Sequence, residues 1–283
     1  AIHAQLLTHG VFSKNSSSTR AVPLKAAIAQ VRENISKVIW TTNRAGMQGD
    51  VVTDRVDLVA LDTFHRGMLE QSIAFVEELD TYGIHKQNAG RYLEPFQNIR
   101  IVLTSTEWEN WDWLRIHEDA QGEIAELATA MKEARDNADI MELNEGEWHV
   151  PFVERIRHED GLLEYGIAAS ENGWVTLNVE EAKAISVSVC AQTSYRKADY
   201  TLEKACKLEA MLVDGHKVHA SPFEHQAMTV PEMPDSGMNV ASYLLRMPIG
   251  LTHIDRDMTP CSGNFKHWIQ HRQLVPRHDK ALF

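Results

Sequence analysis

The chain has 283 residues, of which 43% are hydrophobic and 24% charged, and its formal net charge at pH 7 is −12. This composition is typical of a globular protein with a substantial core, and the negative charge argues against nonspecific binding to a nucleic-acid polymer, which requires a basic surface. No apolar run approaches the ~20 residues that cross a bilayer, and no secretory leader is recognisable, so we expect a cytoplasmic protein with no membrane partner.

Pro23 and the residues that follow it predict the first helix. Proline is suited to the first helical position, and apolar residues recur at helical spacing over 24–31. A long amphipathic helix is predicted over 57–82, with Gly83 as its stop signal. Its predicted apolar stripe consists of Leu58, Leu61, Phe64, Met68, Phe75 and Leu79.

Shorter elements follow this helix. A short helix is predicted over 85–93, ending before Pro95, and a strand is predicted over 99–103. Residues 107–137 have a helical pattern with a break near His117.

The middle of the chain is less regular. Residues 144–151 are polar and turn-like, and we predict a surface excursion over 144–178 that carries short strands near 162–165 and 174–177. The pattern over 179–195 leaves helix and strand open.

A helix is predicted over 201–214, with Gly215 as its stop signal. In the tail we predict a structural helix with Trp268 buried, and Arg272 is a candidate for contact with a phosphate. The elements are consistent with a single catalytic domain over 1–283, in which the excursion separates two halves that carry motifs.

Cysteine and histidine positions indicate neither a disulfide framework nor a metal site. The three cysteines, Cys190, Cys206 and Cys261, are odd in number and widely spaced, and no C-x-x-C pair is present. We therefore expect free thiols in a reducing compartment. The fourteen histidines show no H-E-x-x-H spacing, so no metal site is predicted.

The segment from Thr8 to Arg20 is the densest motif in the sequence. It combines hydroxyl side chains with one amide, one lysine and one arginine. Hydroxyls and backbone N–H groups can surround phosphate oxygens, and arginine can bind them with two hydrogen bonds. The segment therefore predicts a site for a phosphorylated small molecule, with a Ser-rich terminal segment lacking fixed structure as the alternative.

The same segment resembles the signature R-H-R-x2-S-x-N-x2-S-x-R of flavin-dependent thymidylate synthases. The chain departs from this signature at Thr8 and Gly10, where the family has arginines. The positions that agree with it are His9, Ser13, Asn15, Ser18 and Arg20.

Other segments extend the resemblance to the middle and the end of the chain. Residues 219–225 resemble the family's H-x-[ST]-P-F-E-H, and residues 110–115 and 120–124 resemble its N-x4-R and A-Q-x-E-I segments. Gln5 lies three residues before the first motif, as in the family, and residues 91–95 are similar to its R-x2-L-P region. The P-F-E-H motif follows the Ser/Arg motif, an order shown by viral-type members.

The resemblance implies an α+β fold with mixed helices and an antiparallel-rich sheet, and a helix over 179–195. It also implies a homotetramer with FAD at subunit contacts. The implied reaction methylates dUMP to dTMP, with methylenetetrahydrofolate as carbon donor and NADPH as reductant. The final reduction then needs no protein nucleophile, and none of the three cysteines lies near a helpful His or Arg in sequence.

Three sets of site residues follow from the resemblance. Ser18 and Arg115 are the predicted catalytic residues, since Ser18 would polarise the pyrimidine. The predicted substrate-binding set is Gln5, Ser18, Arg20, Arg91 and Arg115. The predicted cofactor-binding set is His9, Ser13, Asn15, Asn110, His219, Ser221 and Glu224.

Each set has a structural alternative. The arginines can form surface salt bridges, and Ser18 can be an ordinary loop hydroxyl. Ser221, Pro222 and Glu224 can form a capping box at a helix start.

The departures from the signature leave the reaction open. Thr8 and Gly10 remove two cations, and Asp119 replaces a family histidine. Three explanations compete: compensation by Lys14 or Arg272, a different substrate, or an impaired enzyme. The alternative functions are a related flavoenzyme that methylates or hydroxymethylates another pyrimidine nucleotide, and an inactive nucleotide-binding relative. A metal hydrolase is supported only by the histidine count.

Overall fold

The computed structural model describes residues 2–18, 20–45, 49–169, 173–194, 197–214, 218–230 and 247–279. It divides the chain into two compact units, where the sequence predicted one catalytic domain. Unit 1 consists of Ala1–Leu6, Ser16–Arg100 and Glu109–Ala138. Unit 2 consists of Leu7–Asn15, Ile101–Trp108 and Asp139–Phe283.

Unit 1 is helical. Asp54 caps its longest helix by accepting hydrogen bonds from the backbone N–H groups of Val56 and Asp57, as expected at a helix start. Gly83, with φ +71°, follows the helix end, as predicted. The helices are α1 (Ile2–Leu7), α2 (Leu24–Glu33), α3 (Arg55–Thr81), α4 (Lys86–Ala89), α5 (Glu109–Arg115) and α6 (Gly122–Asp136), with a 3₁₀ helix over Gly90–Phe96.

The core of unit 1 lies between α2, α3 and the 3₁₀ helix. The apolar stripe predicted for α3 is wrong in part, because this helix has apolar residues on two faces. Leu58, Leu61 and Leu79 are partly buried, but Phe64, Met68 and Phe75 are exposed. The residues of α3 that are fully buried are Leu69, Ile73 and Val76, which pack with Val31, Leu93 and Phe96.

Most other predictions for this half of the chain are confirmed. The predicted short helix is α4 with the 3₁₀ helix, which includes Pro95 instead of ending before it. The predicted break near His117 separates α5 from α6. Asp112 of α5 and Arg135 of α6 form an ion pair of 2.6 Å, which holds these two helices together.

Where the structure describes it, unit 2 contains small antiparallel sheets and the helices α7 (Val179–Ala191) and α8 (Leu202–Val213). With the helices of unit 1 this confirms the α+β class. Strands β1 (Ser13–Ser16) and β2 (Ile101–Thr104) form a two-stranded sheet, and β2 fulfils the strand prediction near 99–103. The other strands are β3 (Trp148–His149), β4 (Glu154–Arg157), β5 (Leu163–Ala169), β6 (Gly173–Leu177), β7 (Ala227–Thr229), β8 (His253–Ile254), β9 (Pro260–Ser262), β10 (Phe265–Lys266) and β11 (Trp268–Gln270).

Among the described residues these strands form sheets of three strands each, in the orders β4-β5-β6, β11-β7-β3 and β10-β9-β8. In the second, His149 and Gln270 both lie opposite Ala227. This register brings residues from three distant parts of the sequence side by side.

The segment 144–178 is not the surface excursion that the sequence suggested. It supplies buried side chains to the core of unit 2, from strands β3, β5 and β6 and from the turn between β3 and β4. The two predicted strands are present as β5 and β6. The buried residues of the segment are Trp148, Val150, Val153, Tyr165 and Leu177.

Helix α7 resolves the ambiguity over 179–195. Asn178 and Glu181 form a capping box at its start, which favours helix over strand. The residues from Ala182 to Cys190 are all buried, so the strand-like alternation does not mark a half-exposed strand. The next helix, α8, agrees with the prediction over 201–214, and Gly215 lies outside the described residues.

The predicted tail helix is wrong. Trp268 lies in β11 and is only partly buried. The tail forms strands β9, β10 and β11, followed by a 3₁₀ helix over His271–Leu274. Gly263, with φ +59°, and Asn264 connect β9 to β10, because a Gly-Asn pair supplies the turn that a hairpin requires.

No helix in the described residues is both long enough and apolar enough to span a bilayer.

Candidate functional site

The predicted site residues divide between the two units. Unit 1 contains the whole substrate-binding set and one cofactor residue, Asn110. Unit 2 contains the other cofactor residues, which are His9, Ser13, Asn15, His219, Ser221 and Glu224.

Gln5 joins three segments of the resemblance within unit 1. Its Nε2 donates to Oε1 of Gln121 at 2.7 Å, and its Oε1 lies 3.5 Å from a guanidinium nitrogen of Arg115. Gln121 belongs to the A-Q-x-E-I segment and Arg115 to the N-x4-R segment. The amide therefore holds the end of α5 beside the start of α6, as expected of a residue that positions a cation.

Ser18 and Arg20 share one turn. The Ser18 Oγ accepts a hydrogen bond from the Arg20 backbone N–H at 3.3 Å, and the Ser18 carbonyl accepts one from the Ala21 N–H at 3.1 Å. Both side chains are exposed, so they are accessible to a ligand. The turn also agrees with the alternative of a loop hydroxyl, since serine often forms such local bonds.

Arg91 and Asn110 lie on other elements of unit 1. Arg91 is exposed on the 3₁₀ helix, next to residues that anchor this element in the core. Asn110 is exposed near the start of α5. Five positions separate it from Arg115, which places the two side chains roughly 140° apart around the helix, so they cannot share one face of α5.

Ser13 and the P-F-E-H motif meet at Gln270 in unit 2. Ser13 and Gln270 are both 1% exposed. The Gln270 Nε2 lies 3.0 Å from the Ser13 Oγ and 3.1 Å from the Glu224 carbonyl oxygen. It also lies 3.1 Å from Oδ1 of Asn264, which accepts a hydrogen bond from the Ser13 Oγ. One buried amide thus connects the two motifs that carry the resemblance.

Lys14 lies against the backbone that departs from the signature. Its ammonium group donates to the carbonyl oxygens of Leu7 and His9, both at 3.0 Å. Burial lowers the pKa of Lys14, and the nearby Glu224 carboxylate opposes that change. The lysine therefore places a cation beside Thr8 and Gly10, as the compensation hypothesis requires.

His9 and Asn15 are held by local contacts. The His9 side chain is buried, and its ring centroid lies 5.8 Å from that of Phe12. The Asn15 amide donates to the Cys190 carbonyl at the end of α7, at 3.2 Å. Both residues shape the loop at the start of unit 2.

Glu224 and Arg272 form an ion pair in which both side chains are mostly buried. A charge-assisted pair of this kind is stronger than a neutral hydrogen bond. Arg272 is therefore already bound to a carboxylate, so a phosphate or a compensating role would require it to exchange that partner. The Nε of Arg272 is buried and has no hydrogen-bond partner in the described residues.

The predicted capping box at Ser221 is wrong. Residues Ser221–Glu224 form a single 3₁₀ turn, whose preceding residue is Ala220 and which has no side-chain cap. Pro222 and Phe223 are buried and hold the turn in place. Ser221 and His219 are exposed, so their side chains remain accessible.

His225 closes the motif as a buried neutral residue. Burial, with a smaller contribution from His149, lowers the pKa of His225 to about 4. Its Nδ1 lies 3.0 Å from the Thr104 Oγ1, while its Nε2 is buried and has no partner in the described residues. A buried ring nitrogen without a partner costs roughly 1–3 kcal/mol, which favours a ligand or water there.

A cavity of about 510 Å³ lies in unit 2 beside the same loop. Its lining includes Gly10, Glu107, Asn264 and Lys266. Lys266 lies 2.7 Å from the Glu107 carboxylate. A side-chain carbon added at Gly10 would meet no atom within 4 Å, so there is open space at the position where the resembled signature has an arginine. The volume lies within the range of small-molecule pockets.

No site role was assigned to Gln270 or Asn264 from the sequence. Asn264 had a signal, because Gly263-Asn264 stands between two short runs with strand character, as in a hairpin. Gln270 had none, since a single glutamine in a strand shows no periodicity or motif that marks it as buried.

Comparisons with family models, curated proteins and solved structures found no match to this chain.

Proposed function

We propose that the protein is a FAD-dependent thymidylate synthase that methylates dUMP to dTMP, with methylenetetrahydrofolate as carbon donor and NADPH as reductant. The contact of Gln270 with both Ser13 and the Glu224 carbonyl carries the proposal. The two motifs are far apart in sequence, and their contact inside unit 2 agrees with a shared role.

Unit 1 supplies the residues proposed to bind the nucleotide. Arg20, Arg91 and Arg115 carry the positive charge that a phosphate requires, and charge-assisted hydrogen bonds make arginine suited to it. Gln5 positions Arg115. In the proposal, the Ser18 hydroxyl polarises the pyrimidine base.

Unit 2 supplies most residues proposed to bind the flavin. The buried Nε2 of His225 without a partner and the open space at Gly10 fit a bound group, with hydrogen-bonding side chains from Ser13 and Asn15. Reduced flavin would supply the hydride for the final reduction. The buried His225 stays neutral near pH 7, since its pKa is about 4.

An inactive nucleotide-binding relative is the second candidate. Thr8 and Gly10 favour it, because each lacks a cation that the signature contains, and one lost charge-assisted hydrogen bond costs roughly 1.5–3 kcal/mol. Lys14 favours the active enzyme, because its ammonium group contacts the His9 carbonyl at 3.0 Å.

The absorbance spectrum of the purified protein tests the proposal first. We expect a flavin spectrum, either directly or after reconstitution with FAD, and its loss of colour with NADPH. A protein that contains no FAD as purified and cannot be reconstituted with FAD would end the proposal. Bound FAD without turnover would favour the inactive relative.

Product analysis tests the reaction. The enzyme is incubated with dUMP or dCMP and the cosubstrates, and the product mass separates methylation from hydroxymethylation and identifies the pyrimidine. Arg115→Gln should raise the KM for the nucleotide at least tenfold. Arg66→Gln, an exposed arginine on α3, is the matched control and should not change it.

The proposal includes a homotetramer in the cytoplasm, with no nucleic-acid polymer or membrane as partner.

A further inference from the structure

The two ring nitrogens of the fully buried His225 have different surroundings. Its Nδ1 lies 3.0 Å from the Oγ1 of Thr104. Its Nε2 is buried and has no hydrogen-bond partner in the described residues. The side chain that makes the two nitrogens different is therefore Thr104, which belongs to neither of the sequence motifs.

The backbone holds the Thr104 hydroxyl beside this ring. Thr104 is the last residue of β2, which pairs with β1. The next residue, Ser105, places its Oγ 3.1 Å from the Val11 carbonyl oxygen and 2.8 Å from the Glu107 carbonyl oxygen. Because the strand pairing and these contacts fix the chain on both sides of Thr104, its side chain is well placed to control the neighbouring imidazole.

The charge state of His225 limits what this contact can be. The ring is neutral near pH 7, because burial lowers the pKa of His225 to about 4. A neutral imidazole carries its single proton on either Nδ1 or Nε2. In one form Nδ1 accepts a hydrogen bond from the Thr104 hydroxyl, and in the other Nδ1 donates to the Thr104 Oγ1. The form that is present decides whether Nε2 is a donor or an acceptor.

A count of hydrogen bonds favours the form that is protonated at Nε2. The Thr104 hydroxyl has one hydrogen, and in the described part of the chain its Oγ1 has no hydrogen-bond partner other than His225. When the hydroxyl donates to Nδ1, only the Nε2–H group is left without a partner. When Nδ1 donates instead, the hydroxyl hydrogen and the Nε2 lone pair both lack one. Buried polar groups without partners are costly, so the first form is the more stable.

The neighbourhood of His225 also favours a ligand atom that accepts hydrogen bonds. The pKa of His225 is lowered first by burial and then by the charge of His149, which places the two rings near each other. A guanidinium nitrogen of Arg155 lies 3.5 Å from the His149 Nδ1. Among the described residues Arg155 forms no ion pair, whereas Arg157, two residues along β4, pairs with Glu147 at 2.5 Å. A guanidinium without a carboxylate leaves a positive potential that favours an electron-rich atom.

We propose that Thr104 is a positioning residue, whose hydroxyl keeps the His225 ring protonated at Nε2 so that Nε2 donates a hydrogen bond to an oxygen atom of the bound molecule. The inference rests on the proposed function, in which that molecule is FAD and the acceptor is a carbonyl oxygen of its flavin ring system. A molecule that presents a donor hydrogen at this place is disfavoured, because two donors would then face each other. Thr104 thus contributes to ligand selectivity through His225.

Nitrogen NMR of protein that carries isotopically labelled histidine, recorded without FAD near neutral pH, tests the tautomer. Protonated and unprotonated ring nitrogens give separate signals, and the signals of His225 are those that His225→Gln removes. We expect a single form in the wild type, protonated at Nε2. Thr104→Val keeps the shape of the side chain without the hydroxyl and should populate both forms, because each then leaves the same number of ring groups without a partner. Thr104→Ser restores the hydroxyl and should return the wild-type form.

A titration with FAD tests the contact with the ligand. FAD should shift the Nε2–H signal of wild-type His225. Thr104→Val should bind FAD about twofold more weakly, since only about half of its rings have the competent form, and His225→Phe, which has no donor, about tenfold more weakly. Thr176→Val is the matched control: it makes the same replacement on β6 of unit 2, where the hydroxyl is exposed and donates to Glu164, and it should change neither the His225 signals nor the affinity.

A wild-type His225 that is protonated at Nδ1, or that populates both forms, would overturn the proposal. So would Thr104→Val that retains a single form, or Thr176→Val that alters the ring equally. If Thr104→Val does not fold, the spectra of the wild type and of Thr104→Ser still decide the tautomer. FAD that binds without shifting the Nε2–H signal would refute the contact with the ligand. A protein that does not bind FAD would end the proposed function, while the spectra recorded without FAD would still decide the role of Thr104.

Discussion

Replacement of Gln270 tests the central contact of unit 2. Methionine has a similar volume but donates no hydrogen bond, so Gln270→Met would leave the Ser13 hydroxyl, the Glu224 carbonyl and the Asn264 amide oxygen without this donor. A buried polar group that loses its partner costs about 1–3 kcal/mol. The Nε2 has only two hydrogens, so at most two of these three acceptors lose a bond, and at about 1–3 kcal/mol each the expected cost is roughly 2–6 kcal/mol.

Urea unfolding measures this cost as a change in the free energy of unfolding. Gln30→Met is the matched control, because Gln30 is exposed on α2 and the same replacement there should change stability by less than about 0.5 kcal/mol. If Gln270→Met changed the free energy of unfolding as little as Gln30→Met, the Gln270 amide would not hold the two motifs together. The contact of Gln270 with Ser13 and Glu224 would then no longer support the proposed function.

Three further predictions concern pH, thiol chemistry and the end of α3. Burial lowers the pKa values of His149 and His225 to about 4, below an unfolded value near 6.5. Between pH 4 and pH 6.5 the folded state therefore binds fewer protons than the unfolded state. The free energy of unfolding should be at its full value above pH 6.5 and should fall by roughly 3 kcal/mol at most per histidine as the pH drops to 4. The midpoints of urea unfolding measure this fall, and His225→Gln should make it smaller. The exposed Cys206 should react with a thiol reagent much faster than Cys190, whose pKa burial raises to about 12, and Cys206→Ser should abolish the fast phase; equal rates would contradict the burial of α7. Gly83→Ala should lower the free energy of unfolding by about 1–2 kcal/mol, because φ at this residue is +71° and a side chain there is strained. The melting temperature should fall accordingly, and an unchanged melting temperature would refute that reason.

Helices were predicted well because their signals are local. The Asp54 cap, the Gly83 stop and the apolar period fix α3 without reference to the rest of the chain. The face that it buries depends on its neighbours, however, and a helix with two apolar faces does not reveal which one packs inward. Phe64 and Phe75 were therefore assigned to the core, while the structure exposes them.

Strands of two to four residues were harder to predict, since they carry too few residues for a period to emerge. The tail was interpreted as a helix around Trp268, although the Gly263-Asn264 turn marks a hairpin. The segment 144–178 was interpreted as an excursion because it starts with a polar, turn-like run and continues as a charged stretch interrupted by glycines, yet Trp148 and Tyr165 are buried in the core.

The candidate site was predictable in its motifs and not in its connections. Spacing identified Ser13 and Glu224, but the residue that joins them, Gln270, lies in a strand without any motif. The predicted cap at Ser221 failed because Pro222 and Phe223 are buried, which holds the segment in a 3₁₀ turn. Packing of this kind involves residues that are distant in sequence, so local patterns do not contain it.

The burial of α7 on all sides from Ala182 to Cys190 affects how unit 2 opens and how its sequence can vary. From Ala182 to Cys190 no position faces solvent, so this stretch of the helix has no surface residue that can change freely. Its amide protons should exchange with deuterium only when the whole of unit 2 unfolds. In a saturation mutagenesis screen, this stretch should tolerate fewer replacements than any equal length of α3.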